Sequence, residues 1–308
     1  MTRSATLTIA FPTYNRFEAV SARLAELSAM TLEDGIRVLV TDNASPDDTY
    51  RRLRDTVDDP RVTILRNDAN LGYAGNILRI AETAETDFVT YVSDEDAVDP
   101  EGLAKLVRFC REVGPAFVIP RAQTGQNDCY RGRRETREIA PEEFQTAAFY
   151  VSGLTFAKDV LRSAAPRVRA LIPTNSAATV YPQVLLSALA VAGGRSWFLD
   201  ALVTKQAIVL PTDIEDPVSR VYNQVPARWA QFLGYEECFT AEASSSTPEI
   251  AERYARMRDA WRTRQYALLL DAAERQVPGM SAVLQESAAA AIPARPGLRA
   301  RVRGLLPR

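Results

Sequence analysis

Residues 6–16 read TLTIAFPTYNR. The apolar residues at the start of this stretch predict a buried β-strand, and the PTYN turn leads into a helix over 16–30 that carries Val20, Leu24 and Leu27 on one face. Further strands are predicted at 37–41, 62–65, 88–92 and 116–119, with helical patterns between them. Strands that are almost entirely apolar and alternate with amphipathic helices predict an α/β fold, in which a mainly parallel sheet carries helices on both faces.

The pattern changes after Pro120, where helical segments predominate. Helices are predicted at 144–151, 180–192 and 248–276, with a further helix to 291, whereas 197–199 and 202–203 have strand-like sequence. The fold class is therefore α/β with a mainly helical C-terminal region.

The composition excludes several kinds of protein. The 308 residues include no histidine, which excludes Ser-His-Asp, Cys-His and zinc–histidine chemistry. The net charge of −2 argues against a nucleic-acid partner, and three widely separated cysteines are typical of reduced thiols in the cytoplasm. No apolar run is long enough to span a membrane, and strand-like sequence begins at residue 6, so we expect no secretory signal and a cytoplasmic protein.

Polar loops follow the first four predicted strands, at 12–16, 42–43, 67–76 and 93–96. Turns and helix caps explain Asp and Asn in any one such loop. Ligands of an open parallel sheet bind beyond the carboxyl ends of its strands, so four such loops on one edge predict a polar, acidic binding crevice.

The last of these loops contains three adjacent carboxylates, Asp94, Glu95 and Asp96. Adjacent carboxylates repel one another unless a cation neutralises them, and oxygen ligands without His or Cys suit Mg²⁺ or Mn²⁺. Mg²⁺ in proteins usually completes its shell with water and substrate phosphates. The expected partner is therefore a nucleoside diphosphate.

Four segments of the sequence resemble the signature segments of family 2 glycosyltransferases, which have the GT-A fold. They are IAFPTYNR at 9–16, VLVTDNAS at 38–45 followed by DDT at 47–49, NDANLGYAGN at 67–76, and YVSDED at 91–96. They occur in the order and at the spacing of that family. The resemblance implies a sugar transferase that uses a nucleotide-diphosphate donor.

Carried over position by position, the resemblance implies roles for the donor site. Four residues after the first strand would line the nucleoside pocket: Pro12, Thr13, Tyr14 and Arg16. Asp42 would accept a hydrogen bond from the N3–H of uracil or thymine, which indicates a UDP or dTDP donor. The floor of the pocket would be shaped by Asn70, Gly72 and Asn76.

The resemblance also implies roles for the acidic loop. Asp96 would be the main ligand of Mn²⁺ or Mg²⁺, and Asp94 would contact the ribose or a metal-bound water. Glu95 would face the donor sugar or the metal.

The catalytic base is harder to place. The segment 149–156 is similar to the acceptor side of the family's site, but 180–183, where many members carry a Glu-Asp pair, contains no acid. The loop 212–217 offers the candidate bases Asp213, Glu215 and Asp216. The missing pair leaves open a second interpretation, a nucleotide-sugar-binding protein without catalytic activity.

The resemblance implies transfer of one sugar to an acceptor hydroxyl with inversion at the anomeric centre. The acceptor would be a glycan, a lipid-linked compound or a small molecule. The segment 224–229 is one residue too long for the Gln-x-x-Arg-Trp motif of processive synthases, which favours single-sugar transfer. The predicted units are a nucleotide-sugar-binding half at 1–120, an acceptor-side half at 121–217 and a helical region at 218–308.

The C-terminal residues 295–308 contain five arginines interleaved with Leu298, Val302, Leu305 and Leu306. In a helix these four apolar residues would share one face. Such a face is typical of a segment in peripheral contact with an anionic membrane. The sequence equally allows a frayed terminus or a helix packed on the acidic first half, and the notion of a membrane contact is one of these three open interpretations. The sequence leaves open whether the chain forms a homo-oligomer.

Overall fold

The structure is a computed structural model that describes residues 6–124, 127–129, 135–145, 148–207, 224–279 and 281–282. Its first half follows the predicted alternation. The elements are β1 (Leu7–Thr13), α1 (Phe17–Ala29), β2 (Ile36–Asp42), α2 (Thr49–Thr56), β3 (Val62–Arg66), α3 (Gly72–Thr83), β4 (Phe88–Tyr91), β5 (Asp96–Val98), α4 (Pro100–Val113) and β6 (Phe117–Thr124).

The second half begins with the short strands β7 (Asn127–Cys129) and β8 (Arg137–Glu138) and a 3₁₀ turn at Pro141–Glu143. It continues with β9 (Thr155–Ala157), α5 (Lys158–Leu171), α6 (Ser176–Val180), α7 (Pro182–Gly193), β10 (Ser196–Gln206), α8 (Val225–Ser244) and α9 (Pro248–Gln276).

One mainly parallel sheet joins the two halves, with the strand order β3-β2-β1-β4-β9-β6-β10-β5. Strands β3, β2, β1 and β4 run parallel, so their carboxyl ends meet at one edge. Strand β9 is antiparallel to both β4 and β6, and β5 is antiparallel to β10.

The hydrophobic core lies on both faces of this sheet. Alternate residues of β1 point to opposite sides, so that Ile9 and Phe11 pack in the cluster formed with α1 and α4, whereas Ala10 faces the cluster of α3, α5 and α7. A large apolar side chain that is fully buried contributes about 1.5–3 kcal/mol. These two layers explain why the strands are apolar along their whole length.

The C-terminal helices pack against the turns that contain Phe144 and Phe149. Trp261 of α9 is fully buried, with its ring 3.9 Å from that of Tyr235 in α8 and 5.8 and 5.9 Å from those of Phe144 and Phe149. These contacts confirm the predicted helical C-terminal region and its helix over Pro248–Gln276.

One sequence-based element prediction was wrong. Residues 144–145 and 148–150 form turns rather than the predicted helix, because the Phe144 and Phe149 rings reach Trp261 from an irregular chain. The two strand-like pieces 197–199 and 202–203 are confirmed as strand, and both belong to one bulged strand, β10. Helix α5 was not predicted since Pro166 lies inside it and interrupts its pattern.

Helix α4 lies against β10 at a point where only glycine fits. A Cβ atom on Gly102 would lie 1.7 Å from the Leu202 carbonyl oxygen. The helix begins there because the Asp99 side chain accepts a hydrogen bond from the Gly102 amide and itself pairs with Lys205 at 2.6 Å.

The basic segment 295–308 lies outside the described residues. Among the helices that the structure describes, none combines the length and the apolar character needed to cross a membrane.

Candidate donor and metal site

The carboxyl edge of β1, β2, β3 and β4 is held together by backbone hydrogen bonds. The backbone N–H of Asn43 donates to the Thr13 carbonyl, and the backbone N–H of Asn67 donates to the Asp42 carbonyl, both at 2.9 Å. Asn15, with a positive φ of 55°, donates from its amide to the Ser45 hydroxyl at 2.9 Å. The predicted Pro12, Thr13 and Tyr14 therefore lie beside the loop after β2.

Asp42 ends β2, and its side chain is 0% exposed. Its Oδ2 accepts a hydrogen bond from the Ser45 amide at 3.1 Å and lies 3.8 Å from Arg66 Nε. Within the described part of the chain, no group donates to Asp42 Oδ1. A buried carboxylate oxygen without a donor is costly, so this atom favours a ligand that brings an N–H.

The loops after β2 and β3 form a network of amide side chains. Asn43 donates to Asn70 Oδ1 at 2.8 Å and accepts from Asn67 at 3.0 Å, and Asn67 also donates to Asn76 Oδ1 at 3.0 Å. Asn76 donates in turn to the Thr41 carbonyl at 3.0 Å. Asn70 and Asn76 thus fix the loops at this edge of the sheet, and their role in the floor of a nucleoside pocket stays a prediction.

Gly72 belongs to the same network. Its carbonyl accepts from Asn43 at 3.2 Å, its amide donates to Asn70 at 2.8 Å, and its φ is +69°. This left-handed conformation explains the glycine at the start of α3.

Asp94 and Glu95 share one guanidinium group. Arg16 Nη1 donates to Asp94 Oδ1 at 2.8 Å and to Glu95 Oε1 at 3.0 Å, and Thr13 Oγ1 donates to Asp94 Oδ2 at 2.8 Å. Burial raises the pKa of Asp94, against the opposing effect of Arg16. Burial also raises the pKa of Glu95, and the neighbouring carboxylates add to that shift while Arg16 opposes it.

Asp96 points away from Arg16. Its carboxylate is 1% exposed and accepts hydrogen bonds from the Tyr150 hydroxyl, at 2.7 Å from each oxygen, and from the Ser152 hydroxyl. Asp94 and Asp96 are thus enclosed by protein, whereas the Glu95 side chain is 29% exposed.

The described residues contain no group of three acidic, histidine or cysteine side chains placed to hold a metal ion. They do fit an ion that the donor helps to coordinate, because Glu95 offers a hard oxygen at the sheet edge and Mg²⁺ needs only one or two protein carboxylates. Asp94 lies beside it on the same arginine. The assignment of Asp96 and Asp94 as metal ligands stays a prediction, because the protein's own groups hydrogen-bond both carboxylates in this structure.

Gln183 joins the segment that precedes β9 to the first turn of α3. This buried side chain, in the segment where the sequence lacks an acid, donates to the Phe149 carbonyl at 3.1 Å and accepts from the Tyr73 hydroxyl at 3.4 Å. Nearby, Arg228 Nη1 is 3.5 Å from the Tyr181 hydroxyl. The segment where the family's catalytic acid is expected thus carries the amide of Gln183, which links two parts of the chain.

The candidate bases Asp213, Glu215 and Asp216 lie outside the described residues. Ala207, the last described residue before them, lies beside the acidic loop, because its backbone amide donates to the Glu95 carbonyl at 3.0 Å.

Sequence reasoning missed Tyr150 and Ser152 as partners of Asp96, as well as the position of Arg16 between two acids. The only sequence signal for these partners was weak: two hydroxyl side chains lie two residues apart in the segment 149–156, which is similar to the acceptor side of the family's site. Asn43 and Asn67 lay in the quoted motifs, but their part in the amide network depends on the sheet register.

This fold, with an acidic and amide-rich edge at the carboxyl ends of its strands, defines a transferase of the GT-A class. The chain belongs to glycosyl transferase family 2, whose model matches residues 8–164, half of the chain. That match confirms the predicted family.

Solved structures show the same fold. S. aureus TarS, residues 1–349 in complex with UDP-GlcNAc, has a TM-score of 0.62 at 15% identity, covering 88% of this chain and 80% of that one. The mannosyltransferase PcManGT from Pyrobaculum calidifontis, in complex with GDP-Man and Mn²⁺, has a TM-score of 0.58 at 18% identity, covering 98% and 86%. Because one donor carries uracil and the other guanine, the base preference of this chain has to be argued from its own residues.

Proposed function

We propose that the protein transfers a single sugar from a UDP- or dTDP-sugar to an acceptor hydroxyl, with inversion and with Mn²⁺ or Mg²⁺. The observation that carries the donor assignment is Asp42 Oδ1, a buried acceptor without a donor among the described residues. Uracil and thymine present an N3–H, which such an oxygen can accept. Guanine is also a donor, through N1–H and N2–H, but it is larger than the pyrimidines.

The nucleobase has to displace a side chain to reach Asp42, because that carboxylate is fully buried. Arg66 is the side chain to move. It is 42% exposed, and its Nε lies 3.8 Å from Asp42 Oδ2. The guanidinium also donates to the Ser45 carbonyl at 3.1 Å, on the rim of the same pocket.

Asp96, together with Asp94, would hold the divalent ion, and Glu95 would face the donor sugar or the metal. When bound, that ion supplies positive charge to the departing diphosphate. The chain's own contribution is orientation, because Thr13 and Arg16 fix the Asp94 carboxylate from two sides. Arg16 holds Glu95 with the same nitrogen, so the two acids keep a set separation before the donor arrives.

The transfer step needs a base for the acceptor proton, and we propose one of Asp213, Glu215 and Asp216 in that role. The base takes the hydroxyl proton, the acceptor oxygen bonds to the anomeric carbon, and the nucleoside diphosphate leaves with the electron pair of the broken bond. Support comes from Ala207, which contacts the acidic loop. Six to nine residues of chain span up to about 20–30 Å, enough to return to the site.

The experiment incubates the protein with UDP-, dTDP-, GDP- and ADP-sugars and Mn²⁺ and measures release of the nucleoside diphosphate, with and without a panel of acceptors. We expect release from UDP- or dTDP-sugars, lost in excess EDTA. The single variants Asp213→Asn, Glu215→Gln and Asp216→Asn should include one with kcat lower by about 10²–10⁴-fold. Its affinity for UDP should be unchanged.

The second candidate function is binding of the nucleotide sugar without transfer. The observation that favours it is Gln183, a buried amide in the segment where a catalytic acid was sought. Tight binding of UDP-sugars with no release in any acceptor mixture would select this function. A preference for GDP-sugars would contradict the donor assignment in both cases.

A further inference from the structure

Two acids of the loop after β4 share a single positive charge. Arg16 Nη1 donates to Asp94 Oδ1 at 2.8 Å and to Glu95 Oε1 at 3.0 Å. Within the described part of the chain, neither carboxylate pairs with a second cation. Asp94 is 2% exposed, and a buried carboxylate is costly unless a cation lies beside it. The charge of this acid pair in the free protein therefore depends on Arg16.

Arg16 also covers the accessible side of Asp94. Asp94 Oδ2 accepts from Thr13 Oγ1 at 2.8 Å, and Thr13 is buried, so that oxygen faces the interior. The partner of Oδ1 is Arg16, whose side chain is 20% exposed. A cation that approaches Asp94 from the sheet edge therefore meets the guanidinium first.

The guanidinium of Arg16 is held by one nitrogen. Nη1 makes both bonds, whereas Nε and Nη2 have no hydrogen bond among the described residues. Arg61 at the end of α1 differs, because its three nitrogens all donate, to Asp59 and to backbone carbonyls. An arginine in a lasting ion pair generally uses its planar fork with two or more bonds. The attachment of Arg16 is that of a contact that can be exchanged.

A divalent ion at the acidic loop competes with this contact. An ion that uses Asp94, as in the proposed function, and the Arg16 guanidinium are two cations at one buried carboxylate, and they repel each other. Arg16 can turn away only if another anion takes up its charge. A nucleoside diphosphate supplies such an anion, since phosphate oxygens accept strong hydrogen bonds from arginine.

We propose that Arg16 is an internal counter-ion of the acidic loop. It neutralises Asp94 and Glu95 in the donor-free protein and opposes binding of the divalent ion until a nucleoside diphosphate is present. The inference rests on the proposed function for the ion and the donor. It assigns Arg16 a task beyond the lining of the nucleoside pocket, namely coupling the binding of metal to the binding of donor.

The test compares Arg16→Gln and Arg16→Lys with wild type in the full chain. Glutamine removes the positive charge and stays polar, whereas lysine keeps the charge. Arg111→Gln is the matched control, because it removes the same charge from an exposed pair with Glu33, away from the acidic loop. Calorimetry measures the affinity for Mn²⁺ first without nucleotide and then with saturating UDP.

We expect Arg16→Gln to bind Mn²⁺ alone at least about tenfold more tightly than wild type, because the competing charge is gone. The factor by which UDP tightens Mn²⁺ binding should fall by about the same amount. Arg16→Lys and Arg111→Gln should both stay within about threefold of wild type, because each keeps a positive charge beside the acids. Mn²⁺ without nucleotide should also raise the unfolding temperature of Arg16→Gln more than that of wild type.

An affinity for Mn²⁺ alone that is equal or weaker in Arg16→Gln than in wild type overturns the proposal, since removing a purely structural arginine would have that result. If Arg16→Gln does not fold without a divalent ion, folding on addition of Mn²⁺ supports the proposal. Failure to fold with Mn²⁺ overturns it, because the ion then does not replace the guanidinium. If wild type does not bind UDP with Mn²⁺, the proposed function fails, and the Mn²⁺ titrations without nucleotide still decide the role of Arg16.

Discussion

Replacing Asp42 by asparagine should reverse which pyrimidine the protein prefers. The Ser45 amide donates to Asp42 Oδ2 at 3.1 Å and Arg66 Nε lies 3.8 Å from the same atom, so both neighbours require an oxygen there. In Asp42→Asn the carbonyl oxygen takes that position, and the amine replaces Oδ1. The variant thus presents a donor where wild type presents an acceptor.

The size of the effect follows from the hydrogen bond that is lost. A hydrogen bond to a charged group contributes about 1.5–3 kcal/mol, which corresponds to about a 10- to 150-fold weaker affinity for UDP. Cytosine carries an acceptor at N3 rather than a donor. CDP should therefore bind Asp42→Asn more tightly than it binds wild type, and the UDP-to-CDP ratio should change by at least 100-fold.

Calorimetric titration of both proteins with UDP and CDP measures this ratio. Asp68→Asn is the matched control, since it removes an exposed carboxylate from the loop after β3 and should leave both affinities unchanged. Equal UDP affinity in Asp42→Asn and wild type would refute the assignment of Asp42 to the base. So would an equal loss for UDP and CDP, which would indicate a general disturbance of the pocket.

Two further predictions concern the fold. Gly102→Ala should lower the free energy of unfolding by several kcal/mol or prevent folding, because its Cβ would lie 1.7 Å from the Leu202 carbonyl oxygen. Urea denaturation measures this loss, with Gly193→Ala as the control, since a Cβ there meets no atom within 4 Å. Equal stabilities of the two variants would contradict the prediction. Asp59→Asn should destabilise by about 1–2 kcal/mol at pH 7, because the hydrogen bond and charge of Arg61 hold the pKa of Asp59 well below its usual range. Because the pKa is lowered in the folded protein, this stabilisation is present above the unfolded pKa of about 4 and is lost as the pH falls further. The difference in free energy of unfolding between Asp59→Asn and wild type should therefore be smaller at pH 3 than at pH 7. A constant difference would refute the ion pair as its source.

The sequence predicted the donor half well because its signals are local. Apolar strands such as Leu7–Thr13 and Ile36–Asp42 alternate with helices of clear period, and parallel pairing then places the polar loops at one edge. The second half depends on distant contacts. Strand β9 is only Thr155–Ala157, and its place between β4 and β6 cannot be read from three residues.

The identity of the site residues was also easier to predict than their orientation. Asp94, Glu95 and Asp96 follow one another in the sequence, yet Arg16 pairs with the first two and Tyr150 bonds the third. Those partners lie 78 and 54 residues away from the acids they contact, so no spacing rule could have separated the three carboxylates.

The proposed donor and acceptor sides of the site are built by different means. The loops after β2 and β3 are joined by amide contacts such as Asn43 to Asn67, 24 residues apart, because the two loops follow adjacent parallel strands. The acceptor-side segment is attached by side chains from remote parts of the chain, Asp96 and Gln183, and by the packing of Phe149 on Trp261. In the proposed function, loops of the common fold hold the donor and a few remote side chains hold the acceptor-side segment, so substitutions in that segment can change the acceptor and leave the nucleotide pocket intact. Variants at Tyr150 or Gln183 should accordingly alter acceptor use before they alter UDP binding, whereas variants at Asn43 should do the reverse.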